Sequence, residues 1–218
     1  GGNGGNDAHI LKFSRDGSFL AQVGRAGMNS GSHDQENFWR VAKVFVDQLE
    51  NEVYVADGYG NKRVVVIDAD SGEFKRYWGA YGNPPDDTDL GPYDPSAEPA
   101  QQFRNPVHCA ELAVDRLLYV CDRVNDRIQV FRADGTFVAE TFIEKQTLGA
   151  GSVWEIAFSR DQWQTYMYVA DGVNERIHIL RRDTLEYLTS FGDGGRQPGQ
   201  FYGVHSIATD SQGNLFTT

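Results

Sequence analysis

One pattern occurs three times in this chain: NEVYVADGYGNKRVVVID at 51–68, LLYVCDRVNDRIQVF at 117–131 and TYMYVADGVNERIHIL at 165–180. Each copy has an alternating apolar run, an Asp, a tight polar turn containing Asn, an Arg and a second alternating run, which predicts a β-hairpin. A repeated hairpin cannot bury its apolar face alone, so the copies must stack on one another. Each predicted hairpin is preceded by a further short strand (RVAKVFVD, PVHCAELAVD, VWEIAFSRD) and followed by another (GEFKRYWG, GTFVAETF, LEYLTSFG).

Four strands per unit, repeated at intervals of roughly 45 to 65 residues, is the pattern of propeller blades set radially about a channel. The fold class expected is therefore all-β, a single β-propeller domain over 1–218. Its parts are a half blade (1–39), three blades (40–105, 106–152 and 153–202) and a second half blade (203–218). The first whole blade carries a proline-rich acidic insertion at 80–102. Two arrangements stay open: a fragment of a six-bladed ring, and a four-bladed ring closed by pairing the two half blades.

With 40% hydrophobic and 12% aromatic residues, the chain has enough apolar surface for a sizeable core. A formal charge of −11 argues against nucleic acid and anionic membrane as partners, since both would repel it. No apolar run is long enough to insert in a bilayer. Cys109 and Cys121 stand near opposite ends of one predicted hairpin; two buried thiols are expected, with a cross-strand disulfide as the alternative in an oxidising compartment.

In a propeller the first strand of each blade lines the channel. Aligning those strands places Ala42, His108, Trp154 and His205 at one level, so histidine occupies every second blade. A third histidine, expected on the blade before Gly1, would bring three imidazoles about 120° apart onto the axis of a six-bladed ring. Three neutral imidazoles with an open fourth position are the geometry of a catalytic zinc site. His108 and His205 are thus the candidate metal ligands. His9, His33 and His178 are set aside as ordinary polar residues. Seven residues separate His108 from Asp115 but five separate His205 from Asp210, so the hairpin bearing His108 is expected to be longer or bulged.

The turn ADGYGNKR holds one residue more than its two relatives, which accommodates Tyr59, and Arg123 follows Asp122 where the other copies have Gly58 and Gly172. Both turns face the same end of the channel as the two histidines.

The repeats resemble NHL propellers, and the set of turns and histidines resembles the peptidyl-α-hydroxyglycine α-amidating lyase family. DGYGNKR is similar to that family's tyrosine turn, with Gly60 where the animal enzymes have a disulfide-forming cysteine, and DRVNDRIQVF is similar to its arginine turn. The resemblance implies a lyase that releases glyoxylate and a peptide amide. It implies zinc held by His108, His205 and a third histidine upstream of Gly1, Tyr59 as base on the substrate hydroxyl, and Arg123 stabilising the phenolate. A phenol ordinarily titrates near 10, so such a base needs neighbouring positive charge. Ser206 stands where the family has a calcium-binding Asp, which argues against calcium. The partner implied is a small-molecule or peptide substrate, and the compartment extracellular or periplasmic; no signal peptide is present in these residues. The alternatives are a noncatalytic propeller that binds a protein or glycan, and a propeller metalloenzyme with another substrate.

The remaining motifs read as structure. Asp57, Asp122 and Asp171 recur with Arg63, Arg127 and Arg176, which suits a turn carboxylate and an arginine packed between blades. Asp86, Asp87, Asp89 and Asp94 are expected to keep a lid-like insertion solvated. GNGGND lacks the strand-to-helix setting of a phosphate loop, so its glycines read as a turn.

Overall fold

The computed structural model describes Gly4 and residues 6–218, so most of the N-terminal glycine run lies outside the described residues. Five antiparallel sheets follow one another along the chain. β1 (His9–Phe13) and β2 (Phe19–Gly24) form a pair. Three four-stranded meanders come next: β3 (Lys43–Asp47), β4 (Glu52–Asp57), β5 (Arg63–Asp68) and β6 (Phe74–Trp78); β7 (Val107–Leu112), β8 (Leu117–Asp122), β9 (Arg127–Arg132) and β10 (Phe137–Phe142); β11 (Glu155–Phe158), β12 (Tyr166–Asp171), β13 (Arg176–Arg181) and β14 (Tyr187–Phe191). β15 (Ile207–Thr209) and β16 (Leu215–Thr217) form the last pair. Among the described residues β1 pairs with β2 alone and β16 with β15 alone, so the two half sheets do not share a ladder.

The alternating apolar residues go into the seams between successive sheets. Tyr54, Val64 and Val66 meet Val107, Leu118 and Phe131 in one seam; Tyr119, Ile128 and Val130 meet Ile156, Met167 and Leu180 in the next. Each fully buried aliphatic side chain in such a seam contributes roughly 1.5–3 kcal/mol. Stacking of this kind sets the first strands side by side: β3 packs against β7, β7 against β11 and β11 against β15. Equivalent positions on successive first strands therefore face one another across the same space.

The recurrent Asp and Arg tie each hairpin to the segment that enters its sheet. Asp57 accepts from the Trp39 amide at 2.8 Å and from Arg63 Nε at 2.9 Å, and Arg63 donates onward to the carbonyls of Ser32 (2.9 Å) and Asn37 (2.8 Å). Asp122 and Arg127 repeat this at 2.8 Å, with Arg127 donating to the Ala100 carbonyl at 2.8 Å. All four side chains are fully buried. In the third copy His178 replaces the arginine: its Nε2 lies 3.0 Å from Asp171 Oδ2, while Arg176 Nε donates to the Asn174 carbonyl at 3.3 Å. His178 is thereby accounted for as a structural partner.

Cys109 and Cys121 are disulfide-bonded, which corrects the expectation of two thiols. They are directly opposed in the β7–β8 ladder with Cα atoms 4.8 Å apart, a separation a disulfide spans. Replacing both by serine is expected to lower stability by about 2–3 kcal/mol through the loop the bond closes, read as a lower urea midpoint; an unchanged midpoint would mean that the bond adds nothing.

The acidic insertion is pinned rather than free. Lys62 Nζ donates to the Thr88 carbonyl at 2.6 Å, Tyr93 donates to the Lys145 carbonyl at 3.0 Å, and Asp87 accepts the Ser32 amide at 2.9 Å. Asp86, Asp89 and Asp94 each accept an amide two residues on, which closes local turns.

Asp126 is fully buried at the Arg123–Asn125 turn, with its backbone in the left-handed region and Oδ2 without a partner. Burial pushes its carboxyl up to about 7. Because the folded value lies above the unfolded one, the fold binds the extra proton and stability falls as pH rises toward 7, then levels off. Asp126→Asn keeps a residue suited to positive φ and removes the charge. The variant should gain thermal stability over wild type near pH 8 but little near pH 4; equal differences at both would contradict the burial of an ionised Asp126.

Candidate functional site

The ladder between β7 and β8 pairs Val107 with Asp122 and Cys109 with Cys121, so its register shifts at His108. A bulge leaves one residue unpaired and re-aims its side chain. The extra length before Asp115 lies in the turn instead: the amides of Ala113 and Asp210 close equivalent turns onto the carbonyls of Leu117 and Asn214, and each stands five residues after its histidine. The His108 side chain is buried, and its Nδ1 donates to the Trp154 carbonyl. A carbonyl can only accept, so Nδ1 carries the proton and Nε2 the lone pair. The Tyr59 hydroxyl donates to that Nε2 at 2.9 Å. Burial, with the Arg123 charge adding to it, pushes His108 down to about 3, so the ring is neutral at physiological pH.

His205 stands just before β15, its amide donating to the Thr218 carbonyl at 2.7 Å. Its ring centroid is 5.0 Å from that of His108 and 5.2 Å from that of Trp154. Burial and then Arg123 lower its pKa as well. The alternation read from the sequence thus corresponds to two neutral imidazoles meeting edge to face.

Tyr59 reaches His108 because its turn packs directly on the start of β7. A side chain at Gly58 would collide with the Val107 backbone, and one at Gly60 with the Trp39 indole. Asn105 Nδ2 clamps the turn by donating to the carbonyls of Gly58 and Asn61, each at 2.8 Å. Arg123 opens the 3₁₀ turn after β8, and its Nη1 donates to the Tyr59 oxygen at 3.4 Å. Among the described residues it has no carboxylate partner, and its Nε is buried without a hydrogen bond. Burial lowers its pKa.

A second cluster, which the sequence reading missed, lies on the adjacent level of the same strands. Lys43 Nζ is 2.5 Å from Glu111 and 2.8 Å from Glu155, one residue from each of β3, β7 and β11. Burial pushes Glu155 up to about 7 and Glu111 up too, while the two carboxylates, working against burial, hold Lys43 above its ordinary value. Each residue sits alone in its own repeat, so only the packing of three sheets brings the set together. An ammonium already seated between the carboxylates leaves a divalent cation facing like charge, so calcium does not fit there. A cavity of about 610 Å³ starts at this cluster and is lined further by Arg116, Arg160 and Thr209. None of Tyr59, His108, Arg123 or His205 lines it; it opens at the other end of the first strands.

Among the described residues no three His, Cys, Asp or Glu side chains gather as a metal site requires. No helix among them is long and apolar enough to cross a membrane.

The chain is similar in sequence to peptidyl-glycine alpha-amidating monooxygenase of Mus musculus, 35% identical over 121 residues that make up 56% of this chain and 11% of the mouse protein. It is 35% identical to peptidyl-glycine alpha-amidating monooxygenase A of Xenopus laevis over 132 residues, 60% of this chain and 12% of that protein. The matched stretch is thus about an eighth or less of those relatives' length. No family model matches the chain. Among solved structures, the hydrazine synthase of Kuenenia stuttgartiensis superposes with a TM-score of 0.56 at 14% identity, over 81% of this chain and 41% of that one. U3-55K does so with a TM-score of 0.53 at 12% identity, over 77% and 42%. At such identities the likeness concerns the fold alone.

Proposed function

We propose that this chain carries part of the active site of a zinc-dependent lyase on an NHL-type β-propeller, splitting a peptidyl-α-hydroxyglycine into a peptide amide and glyoxylate. The observation that carries the reading is the convergence of Tyr59, His108, Arg123 and His205 from four separate segments, with Tyr59 hydrogen-bonded to both His108 and Arg123. The sequence similarity to peptide-amidating enzymes supports it.

The donor set suits zinc. Both imidazoles are neutral, and His108 commits its Nδ1 proton to a carbonyl, the arrangement that orients metal-bound histidines. The two ring centroids lie 5.0 Å apart, and His108 would offer Nε2, so a bound ion would take the place of the Tyr59 hydrogen bond on that nitrogen. His108 and His205 would hold the ion, with a third imidazole from chain preceding Gly1. Bound there, zinc would act as a Lewis acid toward substrate oxygen.

The chain's own residues do the proton work. Once its own proton has passed to solvent, the Tyr59 oxygen takes the proton of the carbinol hydroxyl, and the carbinol oxygen becomes the aldehyde oxygen of glyoxylate as the C–N bond breaks. The bonding pair leaves on nitrogen, which takes that proton back from Tyr59 to give the amide. Arg123, donating to the phenol oxygen, stabilises negative charge on it. The Cys109–Cys121 bond and the similarity to amidating enzymes support an extracellular or periplasmic setting.

The test is glyoxylate release from a short N-acyl peptide ending in α-hydroxyglycine, measured with the zinc content of the same sample. Release that stops on chelation and returns with zinc is expected of protein that also supplies the third imidazole; release indifferent to chelation, or none from such protein when it is zinc-loaded, would overturn the reading.

A further inference from the structure

Among the described residues the half-buried Arg123 reaches Tyr59 without any acidic partner, in a chain whose buried arginines, Arg63, Arg127 and Arg182, are each held by a carboxylate. What lies against its guanidinium instead is Trp154: Arg123 Cζ is 4.4 Å from the indole centroid, closer than the 5.7 Å to the Tyr59 ring. The indole is itself fixed on three sides. Its Nε1–H donates to the Gly151 carbonyl at 2.7 Å, its ring meets those of His108 and His205 at 6.0 and 5.2 Å, and a side chain at Gly172 would collide with it. Gly151 in turn abuts the Arg123 carbonyl so closely that a Cβ there would clash.

We propose that Trp154 is the positioning residue of this site: its indole face, in place of a carboxylate, holds the Arg123 guanidinium against the Tyr59 oxygen. The physical advantage is specific. A carboxylate at this distance would neutralise the guanidinium and cancel the positive charge offered to the phenol, whereas an aromatic face attracts a cation through its quadrupole and leaves the net charge in place. The same residue's backbone carbonyl fixes the His108 tautomer, a role that side-chain replacement leaves intact. Trp154 therefore acts on Arg123 through its ring and on His108 through its main chain.

The proposal rests on the lyase reading for its kinetic consequence but not for its structural one, and the experiment separates the two. In ¹⁵N spectra, the Arg123 Nε–H resonance, assigned by its disappearance in Arg123→Lys, should be displaced by the indole ring current. Trp154→Leu should move it toward the ordinary arginine position, and Trp154→Phe, which keeps a π face, should restore most of the displacement. An Arg123 resonance unmoved in folded Trp154→Leu would overturn the proposal whether or not the chain proves to be a lyase. If glyoxylate is released, Trp154→Leu should lower kcat about tenfold with little change in KM, but should have almost no effect once Arg123→Ala is present. Equal losses in both backgrounds would mean that Trp154 acts independently of Arg123 and would equally overturn it. Should Trp154→Leu fail to fold, Trp154→Phe and Trp154→His read the same resonance: Trp154→Phe should keep most of the displacement and Trp154→His, with a weaker ring current, clearly less, and a resonance unmoved in Trp154→His would contradict the proposal.

Discussion

Tyr59→Phe is expected to abolish glyoxylate release to within measurement, a loss of about 10²- to 10⁴-fold in kcat, the range lost when a positioned acid or base is removed. The hydroxyl is the one atom removed, and it is the atom that bridges His108 Nε2 at 2.9 Å and Arg123 Nη1 at 3.4 Å. The turn is held by Gly58, Gly60 and Asn105 rather than by the hydroxyl, so the melting temperature should hardly move. A variant that retains most of its turnover would remove Tyr59 from the chemistry. One that melts much earlier would show the hydroxyl to be part of the scaffold instead.

Arg127→Met should produce the largest loss of stability in the chain. It strands Asp122, fully buried, without its cation, and it orphans the Ala100 carbonyl. Breaking one side of a buried ion pair costs about 3–5 kcal/mol, which in a domain of this size lowers the melting temperature by roughly 6–20 °C. Adding Asp122→Leu to Arg127→Met should recover part of the loss, because the stranded charge rather than the missing attraction is the main penalty. A double variant as unstable as the single one would instead place the cost in the arginine's bonds to the entering segment.

Much of the strand pattern was legible because period-two alternation and the Asp–Asn–Arg turn repeat in register, and the observed hairpins 52–68, 117–132 and 166–181 follow those repeats closely. The shared level of His108 and His205 was legible for the same reason; the unequal spacing to Asp115 and Asp210 arises because Asp115 stands further into its turn, while the register shift at His108 is a separate feature. Three things were not. The disulfide depends on cross-strand register at one ladder position, which cysteine spacing alone does not reveal. The Lys43–Glu111–Glu155 cluster assembles only when three sheets stack. Trp154 was aligned with the histidines, but that its indole faces Arg123 depends on Gly172 and Gly151 in other loops, and no local pattern encodes such a contact.

The most direct test of a shared cation at the crossing of two inner strands is anomalous diffraction at the zinc edge from crystals of the chain soaked in zinc. One peak within about 2.1 Å of a ring nitrogen of both His108 and His205 is expected, lost in crystals of His108→Ala. Zinc found only at His9 or His33, or a peak that survives His108→Ala unchanged, would contradict it.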